Sequence, residues 1–238
     1  MTDYTLYYWP LPFRGEFVRA VLAFAGKTWT EPDSQETSRL MSGAVREMPV
    51  PFMGPPVLVD AANKVALSQM PAILSYLGET LSLLPDTPAA RAMTLKIIND
   101  ANDVIDELTL DGGRQMWTTQ RWTAFEPRLR KWMSLWEETG RRHGLKRTSG
   151  FLLGGAEPGM ADIVTATLWN TMGDRFHALD EIIRDAAPMT AALSRRVGAL
   201  PTLAALAERS RSSYGESWSG GEIGASLRKV LDARRRQG

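Results

Sequence analysis

The 238-residue sequence contains no cysteine. That excludes disulfides, thiolate metal centres and a cysteine nucleophile. Disulfide exchange, which needs a sulfur of the protein's own, goes with them. Histidine occurs only at His143 and His177, so a histidine-built metal site is not expected. Charge of one sign is also lacking. Lys and Arg number 28 against 27 Asp and Glu, a formal net charge of +1, so no global field recommends nucleic acid or a membrane as a partner. No apolar run approaches the roughly 20 residues of a membrane span. Met1-Thr2-Asp3-Tyr4 lacks the basic start and apolar stretch of a signal peptide. These absences fit a cytoplasmic protein. No repeat of fixed period is visible.

What remains is an ordinary globular composition, 44% hydrophobic and 23% charged, with length for one large domain or two modest ones. Residues 4–9 are rich in aromatic and β-branched types and read as a strand, which Pro10 and Pro12 end. Phe13, Phe17, Val18, Val21, Leu22 and Ala25 then recur at helical spacing, with Gly26 at the capping position. Trp29-Thr30-Glu31 suits a short second strand, and residues 33–48 an irregular segment with a short helix. Four prolines in residues 49–56 forbid regular structure. Val57-Leu58-Val59-Asp60 and Val65-Ala66-Leu67 form a hairpin. Ser68 is the expected N-cap of a following helix, with Pro71 in its first turn and Gly78 as its stop. The order is β-α-β, a loop, then β-β-α.

Residues 85–88 read as a linker between a first domain at 1–84 and an all-helical second domain at 89–238. One helical stripe there is Leu95, Ile98, Ala101, Ile105, Leu108. A second is Trp122, Phe125, Leu129, Trp132, Trp136, whose tryptophans most simply pack a bundle. A third starts at Met160, and further helices are broken by Pro188 and Pro201. The basic run Arg228, Lys229, Arg234, Arg235, Arg236 reads as a solvated helix end or frayed tail.

Four signatures, in order, carry a resemblance that spans nearly the whole chain. The first is Tyr8-Trp9-Pro10-Leu11 with Arg14 and Arg19, and the second Gly54-Pro55-Pro56-Val57-Leu58-Val59-Asp60. The third is Leu67-Ser68-Gln69-Met70-Pro71-Ala72-Ile73-Leu74. The fourth is Phe151-Leu152-Leu153-Gly154-Gly155 followed by Gly159-Met160-Ala161-Asp162-Ile163. Together they resemble the cytosolic glutathione transferases of the tyrosine type, with a start similar to the pi, alpha and sigma classes. The resemblance implies a thioredoxin-like N-terminal domain followed by an all-helical C-terminal bundle. It also implies glutathione as co-substrate, a detoxifying conjugation to electrophilic small molecules, and a homodimer.

Such chemistry must ionise a thiol whose free pKa is about 8.5. Lowering it by about 2 units takes only about 2.7 kcal/mol, which hydrogen bonds to an anion can supply. By position alone Tyr8 reads as a core aromatic. The resemblance makes it the catalytic hydroxyl, with Tyr7 as the rival on the opposite face of the strand. Arg14 is either a helix-surface charge or a cation near the sulfur, while Arg19 reads as structural. A cis peptide at Pro56 would let the Pro55 carbonyl meet the cysteinyl N–H of glutathione. The family's residue there also donates its own N–H, which Pro55 lacks. Gln69 and the Met70 N–H would hold the γ-glutamyl carboxylate at a helix N-terminus, although methionine replaces the family's serine or threonine. Asp100 would reach the γ-glutamyl ammonium in a neighbouring subunit, with Asp103 as its alternative. Asp162 suits one half of a capping box, the other half being lost at Gly159. An electrophile pocket between the domains would involve Trp9, Leu11, Met116, Trp117 and Tyr214. The deficits at Pro55 and Met70 keep open a second reading, a protein of this fold that binds glutathione or apolar ligands with little turnover.

Overall fold

In the computed structural model, which describes residues 2–235, strand β1 (Tyr4–Tyr7) leads through a proline-containing turn into helix α1 (Phe13–Phe24) and strand β2 (Trp29–Thr30). Helix α2 (Ser34–Ser42) and a 3-10 turn (Val45–Glu47) follow. Strands β3 (Val57–Asp60) and β4 (Val65–Ser68) then precede helix α3 (Met70–Thr80). The sheet order is β2-β1-β3-β4, with β1 parallel to β2 and antiparallel to β3. Tyr4 and Leu6 alternate inward along β1, and α1 covers them with Phe17, Val18, Val21 and Leu22. Gly26, at a φ of 65°, turns the chain after α1 as its position predicts.

Two helix boundaries differ from expectation. Ser68 does not cap α3, because it is held in the sheet opposite Val57, and Gln69 takes the N-cap position. Gly78 does not stop α3, which runs on to Thr80. Its missing side chain serves packing, since a Cβ there would lie 2.8 Å from the Leu84 side chain.

The helical part comprises α4 (Pro88–Leu108), α5 (Leu110–Gly113), α6 (Thr119–Arg142), α7 (Met160–Arg175), α8 (His177–Ala186), α9 (Pro188–Gly198), α10 (Pro201–Tyr214) and α11 (Gly221–Arg235). Thr87 caps α4 by accepting the Ala90 N–H at 3.3 Å, so Pro88 opens the helix. Leu95 departs from the expected stripe and is 44% exposed. Thr94 is buried in its place, its hydroxyl satisfied by the Ala90 carbonyl, so a polar residue disguised the phase of the buried face. Helix α7 packs against α1, α4, α8 and α9, which explains why it is apolar nearly all round. At its start Asp162 accepts from Gly159 N at 3.0 Å and Leu152 N at 2.7 Å. Gly159 has no side chain, so only the reciprocal half of a capping box forms. The tryptophans of α6 pack the bundle, with the indole N–H of Trp136 on Thr165 and that of Trp132 on Glu107.

Of the two readings of the basic C-terminal run, a solvated helix end or a frayed tail, the first holds, with Lys229 and Arg234 exposed on α11. Ile223, Leu227, Val230 and Leu231 form a buried stripe on α11. The Arg228 guanidinium donates to the carbonyls of Arg175 at 2.6 Å and Glu216 at 2.7 Å, and Arg234 pairs with Glu126. Helical spacing was present in the sequence, but the density of charge masked it. Arg236 lies outside the described residues. Among those described, no helix is long and apolar enough to cross a membrane.

Candidate functional site

Sheet register assembles the site. Tyr7 lies opposite Val57, and Val57 opposite Ser68. The segments beyond that row, Tyr8-Trp9, Pro55-Pro56 and Gln69-Met70, therefore leave the sheet at one common end. The Pro55–Pro56 peptide is cis.

Tyr8 is only 4% exposed, and its ring lies against the first turn of α1. A Cβ on Gly15 would fall 2.2 Å from the Tyr8 Cδ1, so glycine is required for this approach. Gly15→Ala is expected to push the ring aside and destabilise the fold by about 1–3 kcal/mol. An unchanged midpoint in denaturant unfolding would contradict the contact. Burial pushes the Tyr8 hydroxyl up to about 12, against the lowering pull of the Arg14 charge, the Gly15 N–H and Arg19. It is therefore an intact phenol at neutral pH, able to donate. A difference titration of tyrosine absorbance, parent minus Tyr8→Phe, should show this phenolate forming only well above the ordinary tyrosine value of about 10. Appearance of the signal near pH 10 would remove the burial argument. Tyr7, by contrast, faces α2, where Glu36 and Arg39 act on it.

Arg14 bridges the two halves of the chain. Its Nε donates to Asn102 at 3.0 Å and its Nη2 to Asp106 at 3.1 Å, both on α4. Gln69 is exposed and takes φ 71° and ψ 122°, a region that side chains other than glycine rarely enter. Such strain costs about 1–3 kcal/mol and concentrates where geometry serves a ligand. Met70 is 1% exposed, so its side chain belongs to the core and only its N–H is available at the α3 N-terminus. Asp100 is not among the groups gathered at the sheet end. It lies on α4 and pairs with Lys96 of the same helix. Burial and the charges of Asp100, Glu107 and Asp106 push the Asp103 carboxyl up. No cluster of metal-ligating side chains occurs among the described residues.

A cleft of about 720 Å³ lies between the β1–α1 connection, β2, the start of α2 and α10. Tyr8, Trp9 and Tyr214 line it, but Arg14, Pro55, Gln69, Met70 and Asp100 do not. Three of the expected pocket residues are placed elsewhere. Trp117 is buried against Trp122 and Phe125, its indole N–H on the Leu108 carbonyl. Leu11 packs beside Gly220, and Met116 is 36% exposed. The cause is α11 and the turn before it. Ser226 accepts the Trp117 N–H, and Trp218 is wedged edge-on between Phe13 and Phe176.

The residue the sequence undervalued is Arg19. Its guanidinium donates to the carbonyls of Leu11 at 2.9 Å and Trp9 at 3.4 Å, to both oxygens of Glu31 at 2.9 and 2.6 Å, and to Glu16 at 3.2 Å. It also lies 5.6 Å from the Tyr8 ring centre and 5.2 Å from that of Tyr214. Arg19 thus pins the turn that follows Tyr8 and covers the ring. Burial would raise the Glu31 carboxyl, but Arg19 outweighs it and holds that carboxyl below its usual value. Burial wins at Glu16, which is raised. A signal did exist: Glu16 and Arg19 stand three apart in a helix that is apolar apart from them and Arg14.

Residues 93–230 match the family described as glutathione S-transferase, C-terminal domain. Among solved structures the chain is similar to a Nu-class GST from Haemonchus contortus, at 22% identity and TM-score 0.66. It is also similar to a nematode-specific GST of C. elegans, at 20% identity and TM-score 0.67, and to a monomeric glutathione S-transferase of the hookworm Necator americanus, at 20% and 0.69. Each alignment covers 87% of this chain and 97% of the other. At these identities the likeness concerns the fold. No curated protein sequence matches the chain.

Proposed function

Because the chain belongs to the glutathione S-transferase family, we propose that it holds glutathione at the common end of its sheet and adds the ionised sulfur to electrophilic small molecules. Tyr8 donates its phenolic hydrogen to the thiolate. The observation that carries the reading is a neutral phenol, buried on the first turn of α1 beside the Arg14 charge. A donor and a helix N-terminus both favour the anion over the thiol. The thiol proton is lost to solvent. The sulfur then forms a bond to the electrophilic carbon, and a leaving group departs with the bonding pair.

In this reading residues 1–84 carry glutathione and residues 89–238 the electrophile's side of the site. The Pro55 carbonyl takes the cysteinyl N–H, while Gln69 and the Met70 N–H take the γ-glutamyl carboxylate. Asp100 serves the ammonium of glutathione in a second copy of the chain, which makes the working form a homodimer. Sedimentation of the full chain at micromolar concentration tests that part, a monomer removing Asp100 from the site.

The direct experiment follows the ultraviolet absorbance of glutathione thiolate bound to the protein as pH is varied. The bound thiol should titrate about 2 units below its free value of about 8.5. Titration at the free value would overturn the proposed role of Tyr8. A second reading is favoured by Pro55, which has no N–H, and by Met70, whose side chain is in the core. One missing hydrogen bond weakens binding by about 0.5–1.5 kcal/mol. Glutathione binding without conjugation of a chlorodinitrobenzene-type electrophile would establish that reading, a binding protein of this fold.

A further inference from the structure

The Arg14 side chain starts on the first turn of α1 and ends on α4. Its Nε meets the amide oxygen of Asn102 and its Nη2 the carboxylate of Asp106. The Phe13 ring centre lies 4.8 Å from the guanidinium carbon. A free arginine at a helix start has many rotamers and would spread its charge into solvent. Two acceptors four residues apart on one helix face engage two edges of the planar fork and leave it one orientation.

The two acceptors differ in kind. The Asp106 side chain is 60% exposed, so water screens its pairing with Arg14. Asn102 is half-buried and neutral. The stretch of α4 around it is acidic, with Asp100, Asp103, Asp106 and Glu107. A carboxylate at position 102 would hold the guanidinium equally well, but would cancel much of its field. An amide holds the cation and leaves its charge uncancelled at the better-buried contact. That field matters at Tyr8. Of the charges that draw the Tyr8 hydroxyl downward, Arg14 is the strongest. Arg19, the other cation near the ring, is committed to Glu16 and Glu31.

Resting on the reading of Tyr8 as the sulfur's donor, we propose that Asn102 is a positioning residue for the reaction, holding the Arg14 guanidinium beside Tyr8 through a neutral acceptor so that its charge favours the thiolate. Asp106 shares in the orientation and subtracts from the field. The helical part of the chain thereby contributes to ionising a sulfur that the sheet end binds.

Absorbance titration of glutathione thiolate bound to the full chain tests this. Asn102→Ala should raise the pKa of the bound thiol by about 0.5–1 and slow conjugation at pH 6 about two- to fivefold, with variant and parent converging above about pH 8.5. Asn102→Leu is similar in size to asparagine and has no acceptor, so the same result there separates the lost hydrogen bond from lost packing. Asp106→Asn keeps an oxygen for Nη2 and removes the opposing charge, and should lower the thiol value by about 0.2–0.5. In an Arg14→Met background Asn102→Ala should add nothing, because the amide acts only through the guanidinium. The proposal is overturned by an unchanged thiol value in both Asn102 variants, by an equal shift in the absence of Arg14, or by Asp106→Asn raising the value as Asn102→Ala does. Tyr8→Phe in the same titration keeps the two ideas apart. A shift there with none in the Asn102 variants removes Asn102 and leaves the reading of Tyr8 standing.

Discussion

Under the proposed function, Tyr8→Phe is expected to lower glutathione conjugation at neutral pH by about ten- to a hundredfold, with little change in the affinity for glutathione. The magnitude follows from one lost hydrogen bond to an anion, about 1.5–3 kcal/mol, at 1.36 kcal/mol per tenfold in rate. A thiolate of higher pKa is intrinsically more nucleophilic, and that partial compensation sets the lower end of the range. The deficit is expected to depend on pH. Once the medium exceeds the free thiol value of about 8.5, the sulfur ionises without help and the two proteins converge. A rate deficit that stays constant from pH 6 to pH 9.5, or no deficit at all, contradicts the assignment. Phenylalanine preserves the ring that rests on Gly15, so the substitution isolates the hydroxyl from the packing.

The second large effect is on stability. Arg19→Leu is expected to cost about 3–5 kcal/mol, because it strips buried Glu16 of its counter-charge and leaves it beside Glu31, to which Arg209 and the Trp29 indole remain. A typical domain has only about 5–15 kcal/mol in hand. Arg19→Lys should recover little, since an ammonium cannot replace the planar fork that reaches two carboxylates and two carbonyls. The dependence on pH has a definite sign. Glu31 has a folded value below its usual one, so its pairing stabilises the parent above the unfolded value of about 4.5 and is lost as pH falls through the folded value. Glu16 is raised and protonates first. The gap between parent and Arg19→Leu, measured by denaturant unfolding, should therefore be widest near neutrality and narrow below about pH 4.5. A gap that widens in acid would show that the carboxylates are not what makes Arg19 costly to remove.

These two residues show how unevenly the site was legible. Tyr8 was singled out only through the resemblance carried by Tyr8-Trp9-Pro10-Leu11, since by position alone it reads as a core aromatic of the first strand. Arg19 could not be valued in the same way. Three of its five acceptors, the carbonyls of Trp9 and Leu11 and the Glu16 carboxylate, are near in sequence, but nothing local says that the side chain is buried. Gln69 was legible as a polar residue before a helix, whereas its strained backbone was not. The strain follows from a sheet that holds Ser68 opposite Val57 and so forbids the helix from starting one residue earlier. Trp117 and Leu11 were misplaced for a single reason. The segment that fills their space, α11 and the turn before it, arrives 109 residues after Trp117 and about twice as far after Leu11.

Composition and local spacing determined the absence of cysteine chemistry, the order of elements and the proline-marked turns, because content, period and punctuation can be read from the chain itself. Tertiary structure decided which charges are buried, which aromatics line a cleft and which merely pack. It also decided that the arginine-rich C-terminal helix packs back on the bundle through Ile223, Leu227, Val230 and Leu231. Burial and pairing depend on residues far apart in sequence, and a free energy of that kind has no local signature.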